Sequence, residues 1–342
     1  MDLTQLEKIF LDKPPFYLKE ARRAVFGNLI DDWKQATTMP SELRGKLNKQ
    51  CPLDISARIS VSKDGTAKTL ITLDDGLKIE SVLMRYSGRN TVCVSSQAGC
   101  PLGCLFCATG KLGFKRNLTT EEIVEQVLFF ARFLKKENQR VNNIVFMGMG
   151  EPFLNYDNVM AAIKILNDQK QGMAIGARHI SVSTIGIIEG IEKFIDEPLQ
   201  VNLAISLHAP NNKLRSQIVP ANKKYPIEKI LVCVKKYISK TGRKVMFEYI
   251  MIKEMNDSPT QARQLASLIK SLKTKLCMVN LISYNPSLAV RESRQATGIF
   301  EPSPQETIKN FKNILQKQGI ETTQRFRFGQ DIEGACGQLA AK

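Results

Sequence analysis

Apolar runs rich in β-branched residues recur through the middle of the chain, and segments with a helical period separate them. The runs cover positions 91–95, 143–147, 179–184, 201–207, 245–251 and 278–282. Between the first two, positions 119–135 predict a helix, because their apolar residues share one face and Thr119 and Glu122 form a capping pair. Six alternating strand–helix units predict a parallel sheet with right-handed crossovers. Roughly 190 residues is too few for an eight-fold barrel and fits a partial, six-stranded one.

The segments on either side of this array have different patterns. Positions 1 to about 50 hold short amphipathic stretches, such as 18–25, whose apolar spacing is helical. Positions 54–86 alternate with period two and contain turn signals at 64–65 and 74–76. A strand candidate at 322–325 leads into a Gly-rich tail. We therefore predict an N-terminal accessory domain over 1–85 (helical cap plus small antiparallel sheet), a core barrel over 86–315 and a C-terminal extension over 316–342.

Composition and charge narrow the possible environments of the protein. The 342 residues are 43% hydrophobic and 24% charged, which is ample for a buried core. No apolar run approaches the roughly 20 residues that span a bilayer, which excludes an integral membrane protein. The first residues lack a basic segment followed by an apolar one, so we expect no secretory signal and a cytoplasmic location. The formal net charge of +16 favours a polyanionic partner such as nucleic acid or a membrane surface.

The eight cysteines are unevenly spaced and too few for a disulfide-stapled scaffold. Cys51, Cys233 and Cys277 are isolated among apolar neighbours, which is typical of small core residues. Four others crowd into 15 positions, and one lies near the end of the sequence; these are Cys93, Cys100, Cys104, Cys107 and Cys336. The crowded group therefore needs a chemical explanation.

That explanation lies in the segment Cys100-Pro-Leu-Gly-Cys104-Leu-Phe-Cys107, directly after the first predicted barrel strand. Three thiolates on one tight loop can hold three corners of a 4Fe–4S cluster and leave the fourth iron open. A structural zinc site would need four closed ligands, and a ferredoxin would normally show a fourth cysteine in the same run. The spacing and position resemble the radical S-adenosylmethionine (SAM) superfamily, in which the open iron chelates SAM.

Polar groups follow the predicted strands where a barrel collects its functional residues. After the second strand comes Gly148-Met-Gly-Glu-Pro152, where Gly150 allows close backbone approach and Glu151 offers a carboxylate to the SAM ammonium group. Further candidates for the SAM site end the third and fourth strands or follow the sixth; they are Ser183, Ser206, Leu207, His208 and Asn285.

Longer motifs restrict the resemblance to one family within this superfamily. They are Gly148-Met-Gly-Glu-Pro-Phe-Leu-Asn155, Ser206-Leu-His-Ala-Pro-Asn-Asn212, Ala335-Cys-Gly-Gln-Leu339, Cys93-Val-Ser-Ser-Gln97 and Asn280-Leu-Ile-Ser-Tyr-Asn-Pro286. They resemble the RlmN/Cfr family of adenine methyltransferases that act on RNA, from about residue 15 to the end of the sequence. The resemblance implies an α/β fold, a partial (β/α)6 TIM-type radical SAM barrel with a small N-terminal α+β accessory domain and a C-terminal extension.

The resemblance also implies a mechanism with two SAM molecules. One methylates Cys336, and the other yields a 5′-deoxyadenosyl radical that takes a hydrogen atom from the S-methyl group. The carbon radical adds to adenine, Glu80 matches the family's proposed proton acceptor, and Cys93 resolves the crosslink and leaves a transient disulfide with Cys336. Such cysteines depend on their thiolate forms.

The expected substrate is RNA. The family members most similar in these motifs methylate carbon-2 of an adenosine in 23S rRNA, and some also act on tRNA beside the anticodon. Phe328-Gly-Gln-Asp331 and Ser183-Thr-Ile-Gly-Ile-Ile188 lean instead towards the Cfr-like enzymes, which methylate carbon-8 and confer antibiotic resistance. Loop cations close to the predicted site are phosphate candidates with steep salt dependence; they are Lys111, Lys115, Arg116, Lys213 and Arg215. Arg325 and Arg327 contact the SAM carboxylate or RNA phosphate, or lie on a solvated face.

Two readings from other classes stay open at this point. A radical SAM enzyme that modifies proteins would need the cluster but not the Cys93–Cys336 pair. A basic RNA-binding protein with a structural metal would hold zinc in place of iron and sulfide. For the favoured reading we expect an external electron donor such as flavodoxin, no membrane partner and a monomer.

Overall fold

The computed structural model describes residues 1–287 and 300–341. Its strands are β1 (Ala57–Val61), β2 (Ala67–Thr72), β3 (Lys78–Tyr86), β4 (Arg89–Val94), β5 (Gln97–Gly99), β6 (Phe114–Asn117), β7 (Asn143–Phe146), β8 (Ile180–Thr184), β9 (Asn202–Ser206), β10 (Val245–Met251), β11 (Cys277–Ser283) and β12 (Glu321–Gln324). Its α-helices are α1 (Leu3–Ile9), α2 (Pro15–Arg22), α3 (Ser41–Gln50), α4 (Ala108–Lys111), α5 (Thr120–Lys135), α6 (Tyr156–Asn167), α7 (Ile188–Ile195), α8 (Asn212–Ile218), α9 (Ile227–Thr241), α10 (Pro259–Lys270) and α11 (Gln305–Lys317).

Ten of these strands form one sheet in the order β1-β2-β3-β4-β7-β8-β9-β10-β11-β12. From β4 to β12 every neighbouring pair is parallel, and helices connect the strands. The six predicted barrel strands are therefore present, and the candidate at 322–325 is the additional parallel strand β12. The predicted array of six parallel strands with helical connections is confirmed.

The N-terminal strands extend the same sheet. β1, β2 and β3 are antiparallel to one another, and β3 pairs with β4 in the register Val82↔Cys93. Among the helices that precede them, Trp33 is fully buried and its indole N–H donates to the Cys51 carbonyl at 2.7 Å. The division of the chain near residues 85 and 315 stays a prediction, while the hydrogen bonds make these strands continuous with the barrel.

Local sequence signals explain where the barrel helices begin. The Thr119 side chain accepts from the Glu122 amide, and the Glu122 carboxylate accepts from the Thr119 amide, which confirms the predicted capping pair of α5. The apolar face of α5 is buried against the sheet, including Ile123, Val124 and Val127. Because such helices cover the outside of the sheet, the loops at the carboxyl ends of the strands are left to build a site.

A helix that crosses a bilayer must be both long and apolar. Within the ranges 1–287 and 300–341, no helix combines the necessary length with the necessary apolar character.

Candidate active site

A cavity opens at the carboxyl ends of the barrel strands and is walled on one side by the C-terminal tail, residues 325–341. It brings together most of the residues that the sequence singled out, namely Cys93, Cys100, Cys104, Cys107, Gly150, Glu151, Ser183, Ser206, His208, Asn285 and Cys336. Two of the predicted residues, Glu80 and Leu207, do not line it. Residues far apart in sequence thus converge on one space, as expected for a barrel site.

The three clustered cysteines occupy a loop between the short strands β5 and β6. The Cys100 amide donates to the Gly113 carbonyl at 3.0 Å, which joins the two ends of the loop, and the Leu105 amide donates to the Ile218 carbonyl at 3.0 Å, which fixes its middle. Burial raises the pKa of Cys100 to about 12 and raises the pKa of Cys104 well above its usual value, and neighbouring thiolates add to both shifts. Half-buried thiolates packed together in this way need a cationic partner to be stable.

The donor set fits an iron–sulfur cluster. Within the described residues, no three cysteine, histidine or acidic side chains converge on a position suited to one metal ion. In a 4Fe–4S cluster each cysteine binds a different iron, so three ligands do not need to meet at one point. Three cysteines at one end of a largely apolar cavity satisfy that requirement.

Close packing holds the loop that follows β7 against the loop that follows β4. Gly150 has φ +95°, and a Cβ atom there would lie 2.5 Å from the side chain of Gln97. Any larger residue would therefore be both strained and overlapping. The Gln97 side chain accepts the Glu151 amide at 2.8 Å, and the Ser95 hydroxyl accepts the Met149 amide at 2.8 Å. The glycines are thus needed for close approach between the two loops, as the sequence predicted.

Glu151 is a buried carboxylate with both oxygens held by backbone amides. Its Oε1 accepts from Phe153 at 3.0 Å, and its Oε2 accepts from Ile185 at 2.8 Å. Burial raises the pKa of Glu151 to about 7, although these hydrogen bonds lower it. A carboxylate oriented in this way and facing the cavity can receive an ammonium group, which would restore the favourable charge interaction lost on burial.

The ends of β8 and β9 add neutral polar groups. The hydroxyls of Ser183 and Ser206 lie 3.0 Å apart. His208 adopts the left-handed backbone conformation (φ 62°), its Nδ1 accepts the Ile250 amide at 3.2 Å, and its ring packs edge-on against Phe106. Burial and the charge of Arg215 lower the pKa of His208 to about 3, so its imidazole is neutral at physiological pH.

Cys336 and Cys93 reach the cavity from opposite elements, the tail and strand β4. Burial and, to a smaller extent, the charge of Cys336 raise the pKa of Cys93 to about 12. Burial likewise raises the pKa of Cys336, while the guanidinium of Arg325 opposes that shift. Both are free thiols, as are the other six cysteines, so the transient disulfide stays a prediction.

Asn285 connects the barrel to the tail. Its Nδ2 donates to the carbonyl of Cys336 at 3.2 Å, and its Oδ1 accepts from Arg327 at 3.0 Å. Arg327 also donates to the Tyr284 carbonyl at 2.9 Å. Arg327 therefore fixes the side chain that holds the backbone of Cys336, and does not lie on a solvated face.

Glu80 is buried on β3, behind the tail. One oxygen pairs with Lys68 Nζ at 2.9 Å, and the other accepts the amides of Ala340 at 2.8 Å and Ala341 at 3.1 Å. A buried carboxylate with this many donors is strongly held. These contacts make Glu80 an anchor for the segment that carries Cys336, and its predicted role as a proton acceptor stays a prediction.

Glu248 is a cavity residue that was not predicted from the sequence, and it is the partner of Arg325. Arg325 donates to Glu248 Oε1 at 3.1 Å, and Asn280 donates to the same oxygen at 3.0 Å. Glu248 Oε2 is buried with no hydrogen-bond partner among the described residues, and Glu248 lines the cavity. A carboxylate in the middle of the apolar run 245–251 was the available signal, because a buried charge in a central strand requires a partner or a ligand.

The predicted phosphate contact of Arg215 is wrong. Its side chain is fully buried and donates to the carbonyls of Leu207 at 3.0 Å and Tyr225 at 2.9 Å. It therefore braces the loop after β9 from inside. Arg116 is engaged by Glu122 and Asp75, whereas Lys213 is exposed. Sequence position beside the site did not distinguish an inward guanidinium from an outward ammonium.

Comparisons with known proteins agree with this geometry. The family model for the radical SAM superfamily matches residues 94–266. A protein of Dictyoglomus thermophilum named "Probable dual-specificity RNA methyltransferase RlmN" is 46% identical over 93% of this chain and 88% of its own length. A protein of the same name from Streptococcus pneumoniae is 46% identical over 91% of this chain and 84% of its own length.

A solved structure is also similar to the chain over its whole length. The crystal structure of a radical SAM methyltransferase from Sphaerobacter thermophilus superposes with a TM-score of 0.92 at 42% identity. The match covers 100% of this chain and 98% of that one. The tail and the N-terminal strands are therefore shared with that enzyme, in addition to the superfamily core.

Proposed function

Because the chain belongs to the RlmN family of radical SAM RNA methyltransferases, which use a 4Fe–4S cluster and SAM, we propose that it methylates carbon-2 of one adenosine in 23S rRNA. We extend the proposal to the adenosine on the 3′ side of the anticodon in tRNA, because the relatives are named as having dual specificity. Adenine carbon-2 is electrophilic, so direct transfer of an electrophilic methyl group is mismatched in polarity. A protein group must therefore carry the methyl and deliver it as a radical.

One observation carries the proposal, namely that Cys336 and Cys93 line the same cavity as Cys100, Cys104 and Cys107. A radical SAM enzyme that modifies proteins would not need two further thiols at this position. A zinc-containing RNA-binding protein would need neither the cavity nor the carboxylate of Glu151 facing into it.

The cavity residues can be assigned to the two cofactors. The three loop cysteines would hold three irons, and Glu151, Ser183, Ser206, His208 and Asn285 would surround SAM. When bound, the cluster and SAM together supply a 5′-deoxyadenosyl radical. His208, which is neutral, can only offer a hydrogen bond or apolar contact, whereas Glu151 can pair with an ammonium group.

The chain's own residues then divide the remaining work. The Cys336 sulfur takes the methyl group and becomes joined to adenine through the methylene carbon. The adduct gives up one electron to the enzyme's oxidised one-electron donor and loses the proton of carbon-2, which Glu80 accepts in this proposal. The present partners of Glu80, Lys68 and the amides of Ala340 and Ala341, would have to share or release it for that step. The Cys93 thiol then loses its proton and attacks the Cys336 sulfur, so that the bond between this sulfur and the methylene carbon breaks and a disulfide forms. The electron pair of the broken bond stays with the carbon, which takes up a proton and becomes the methyl group, and the external reductant reduces the disulfide.

The experiment that tests this proposal is mass spectrometry of nucleosides. Unmodified 23S rRNA fragments and tRNA are incubated with anaerobically reconstituted enzyme, SAM and a reductant, and the digest is searched for methylated adenosine. We expect 2-methyladenosine from both RNAs, at a yield that falls steeply with salt because phosphate contacts release counterions.

Other products would redirect the proposal in defined ways. 8-Methyladenosine would keep the family and replace carbon-2 by carbon-8. Formation of 5′-deoxyadenosine without methylated adenosine would refute the RNA assignments. Product from rRNA but not from tRNA would restrict the substrate to 23S rRNA. Replacing the chemical reductant by reduced flavodoxin tests the expected electron donor.

A further inference from the structure

Three aromatic rings form a contiguous group at the mouth of the cavity. Tyr86 and Phe328 meet edge to face with ring centroids 4.6 Å apart, and Phe328 meets Phe326 in the same manner at 4.8 Å. The guanidinium of Arg89 lies 4.3 Å from the centroid of the Tyr86 ring. All three aromatic residues line the cavity, and we refer to Tyr86, Phe326 and Phe328 as the aromatic platform.

The exposure of the platform is graded from inside to outside. Phe328 is buried, Tyr86 is half-buried, and the side chain of Phe326 is 68% exposed. Phe326 is the most exposed phenylalanine in the described part of the chain. An exposed aromatic ring at the rim of an active-site cavity is the usual sign of a contact made with a ligand.

Hydrogen bonds on both sides hold the platform in place. The Arg325 amide donates to the Leu281 carbonyl at 2.9 Å, and the Arg327 side chain is bound by Asn285. The Gly329 amide donates to Asp64 Oδ2 at 2.9 Å. The position of Phe326 is thus fixed by its neighbours, so little ordering is required when a planar ligand stacks on it.

Charge around the platform identifies the kind of ligand. Arg89 is exposed and its guanidinium lies over the Tyr86 ring, whereas Arg325 and Arg327 are held by Glu248 and Asn285. Exposed aromatic rings with a guanidinium group at their edge suit unpaired nucleic acid, since a base can stack on the rings and a phosphate can pair with the cation. Single-stranded RNA satisfies both features.

We propose that the aromatic platform stacks an RNA base directly adjacent to the target adenosine. This inference rests on the proposed function and adds to it the placement of a neighbouring nucleotide. The target adenine must enter the cavity to reach Cys336, so it leaves the stack of its own strand. Phe326 replaces the adenine as the stacking partner of the neighbouring base.

The primary test compares Phe326→Ala with Phe326→Tyr in the full-length, reconstituted enzyme on a stem-loop RNA that contains the target adenosine. Loss of one base–aromatic stack lowers affinity by about 5- to 150-fold, so kcat/KM for RNA methylation of the alanine variant should fall by a factor in that range. The tyrosine variant keeps a flat ring and should stay within about three-fold of the wild type. The matched control is Val232→Ala, which removes an equally exposed apolar side chain (69%) from the outer helix α9.

An RNA change identifies the stacked base. Stem-loops with an abasic ribose on the 5′ or the 3′ side of the target are methylated by the wild type and by Phe326→Ala. At one of these positions, the abasic ribose should lower kcat/KM of the wild type by about the same factor as Phe326→Ala does on intact RNA. The same abasic RNA should not lower kcat/KM of Phe326→Ala any further. Activity of Phe326→Ala equal to that of the wild type, or losses that multiply for both RNAs, would overturn the proposal.

Two further readouts keep failure of this inference distinct from failure of the proposed function. Methylation of Cys336 in the absence of RNA, measured by intact-protein mass, should be unchanged in Phe326→Ala. Loss of that methylation would mean that the tail has moved, and would overturn a stacking role. If the wild type produces no methylated adenosine, the proposed function fails, and the platform is judged by RNA binding alone, where equal Kd values for wild type and variant overturn it.

Discussion

The cavity has two sides that the chain builds in different ways. The strand-end side comes from the carboxyl ends of barrel strands and the segments that follow them; it is formed by the cluster loop, Glu151, Ser183, Ser206 and His208. The tail side, formed by Cys336, Arg325 and their supports, depends on contacts between distant parts of the sequence. Glu151 is held by amides 2 and 34 positions away, whereas Glu80 holds amides 260 and 261 positions away.

The two sides of the cavity have different tasks in the proposed mechanism, namely cofactor binding and methyl delivery. Cofactor binding is common to the superfamily and needs groups at fixed places on a rigid barrel. In the proposal, methyl delivery needs two further thiols that face the same cavity. The barrel supplies Cys93, and the added tail supplies Cys336. A tail pinned by hydrogen bonds can therefore add a reaction to an existing barrel site without rebuilding it.

The largest expected effects come from replacing one cysteine on each side of the cavity. Cys104→Ala should lose iron and sulfide together with RNA methylation, because a cluster ligand is missing. Cys336→Ala should keep the iron and sulfide content of the wild type and still form no methylated adenosine. Metal analysis and nucleoside mass spectrometry check both expectations. The control Cys277→Ala, at the opposite end of β11, should keep the cluster and the activity; methylation by Cys336→Ala would contradict the carrier role.

The next largest effect is expected for the pair that joins the tail to the barrel. Arg325→Met leaves the buried Glu248 carboxylate unpaired, which should lower the free energy of unfolding by about 3 kcal/mol. Lys253→Met, which breaks the exposed pair with Glu301, should cost less than about 1 kcal/mol. Urea unfolding of the two variants measures the contrast. Equal, small losses would mean that the pair with Glu248 does not support the tail.

The variant Glu80→Gln tests whether Glu80 anchors the C-terminal tail. Loss of the charge weakens the bonds from Ala340 and Ala341 and leaves Lys68 unpaired, so we expect about 2 kcal/mol of destabilisation. Hydrogen exchange at the amides of Ala340 and Ala341 should also accelerate. Glu306→Gln, on the exposed face of α11, should change neither. Unchanged exchange with lost methylation would instead assign Glu80 to proton transfer alone.

The effect on the strand-end side is the smallest when it is taken per pH unit, and it depends on pH. Since the folded state lowers the pKa of His208 from 6.5 to about 3, the unfolded chain binds more protons between these values. Stability should therefore fall as pH decreases from about 6.5 towards 4, by up to about 1.4 kcal/mol per pH unit from this residue. Denaturant unfolding at several pH values should show a shallower slope for His208→Gln than for the wild type. His179→Gln changes the exposed histidine and should leave the slope intact.

The strand-end side was largely predictable from sequence because its signals are local. A strand, a glycine and a polar group in succession predict a loop at the carboxyl end of a parallel sheet, and the run 245–251 coincides with β10. The prediction for Leu207 shows that such local signals do not fix the direction of a side chain. Successive side chains alternate, so Leu207 is buried in the core while its neighbours Ser206 and His208 face the cavity.

The tail side was predictable only through the family motifs. No spacing rule connects Glu80 to Ala340, or Arg325 to Glu248, since these contacts depend on how the sheet brings separate segments together. The predicted phosphate contact of Arg215 was wrong for a related reason. A cation in a loop is usually solvated, but this one satisfies carbonyls beneath the loop. The aromatic platform likewise joins β3 to the segment after β12, which local patterns do not reveal.

The anchoring of the tail by Glu80 also orders the events of folding. Hydrogen bonds that span 260 residues form only after the intervening strands have closed most of that loop, because earlier closure costs chain entropy without compensating contacts. The cluster loop, which is held by bonds to Gly113 and Ile218, needs a shorter stretch of chain. A partly folded molecule can thus present the three loop cysteines before Cys336 is in place. The proposed methyl transfer is therefore expected only in molecules in which the whole sheet is complete.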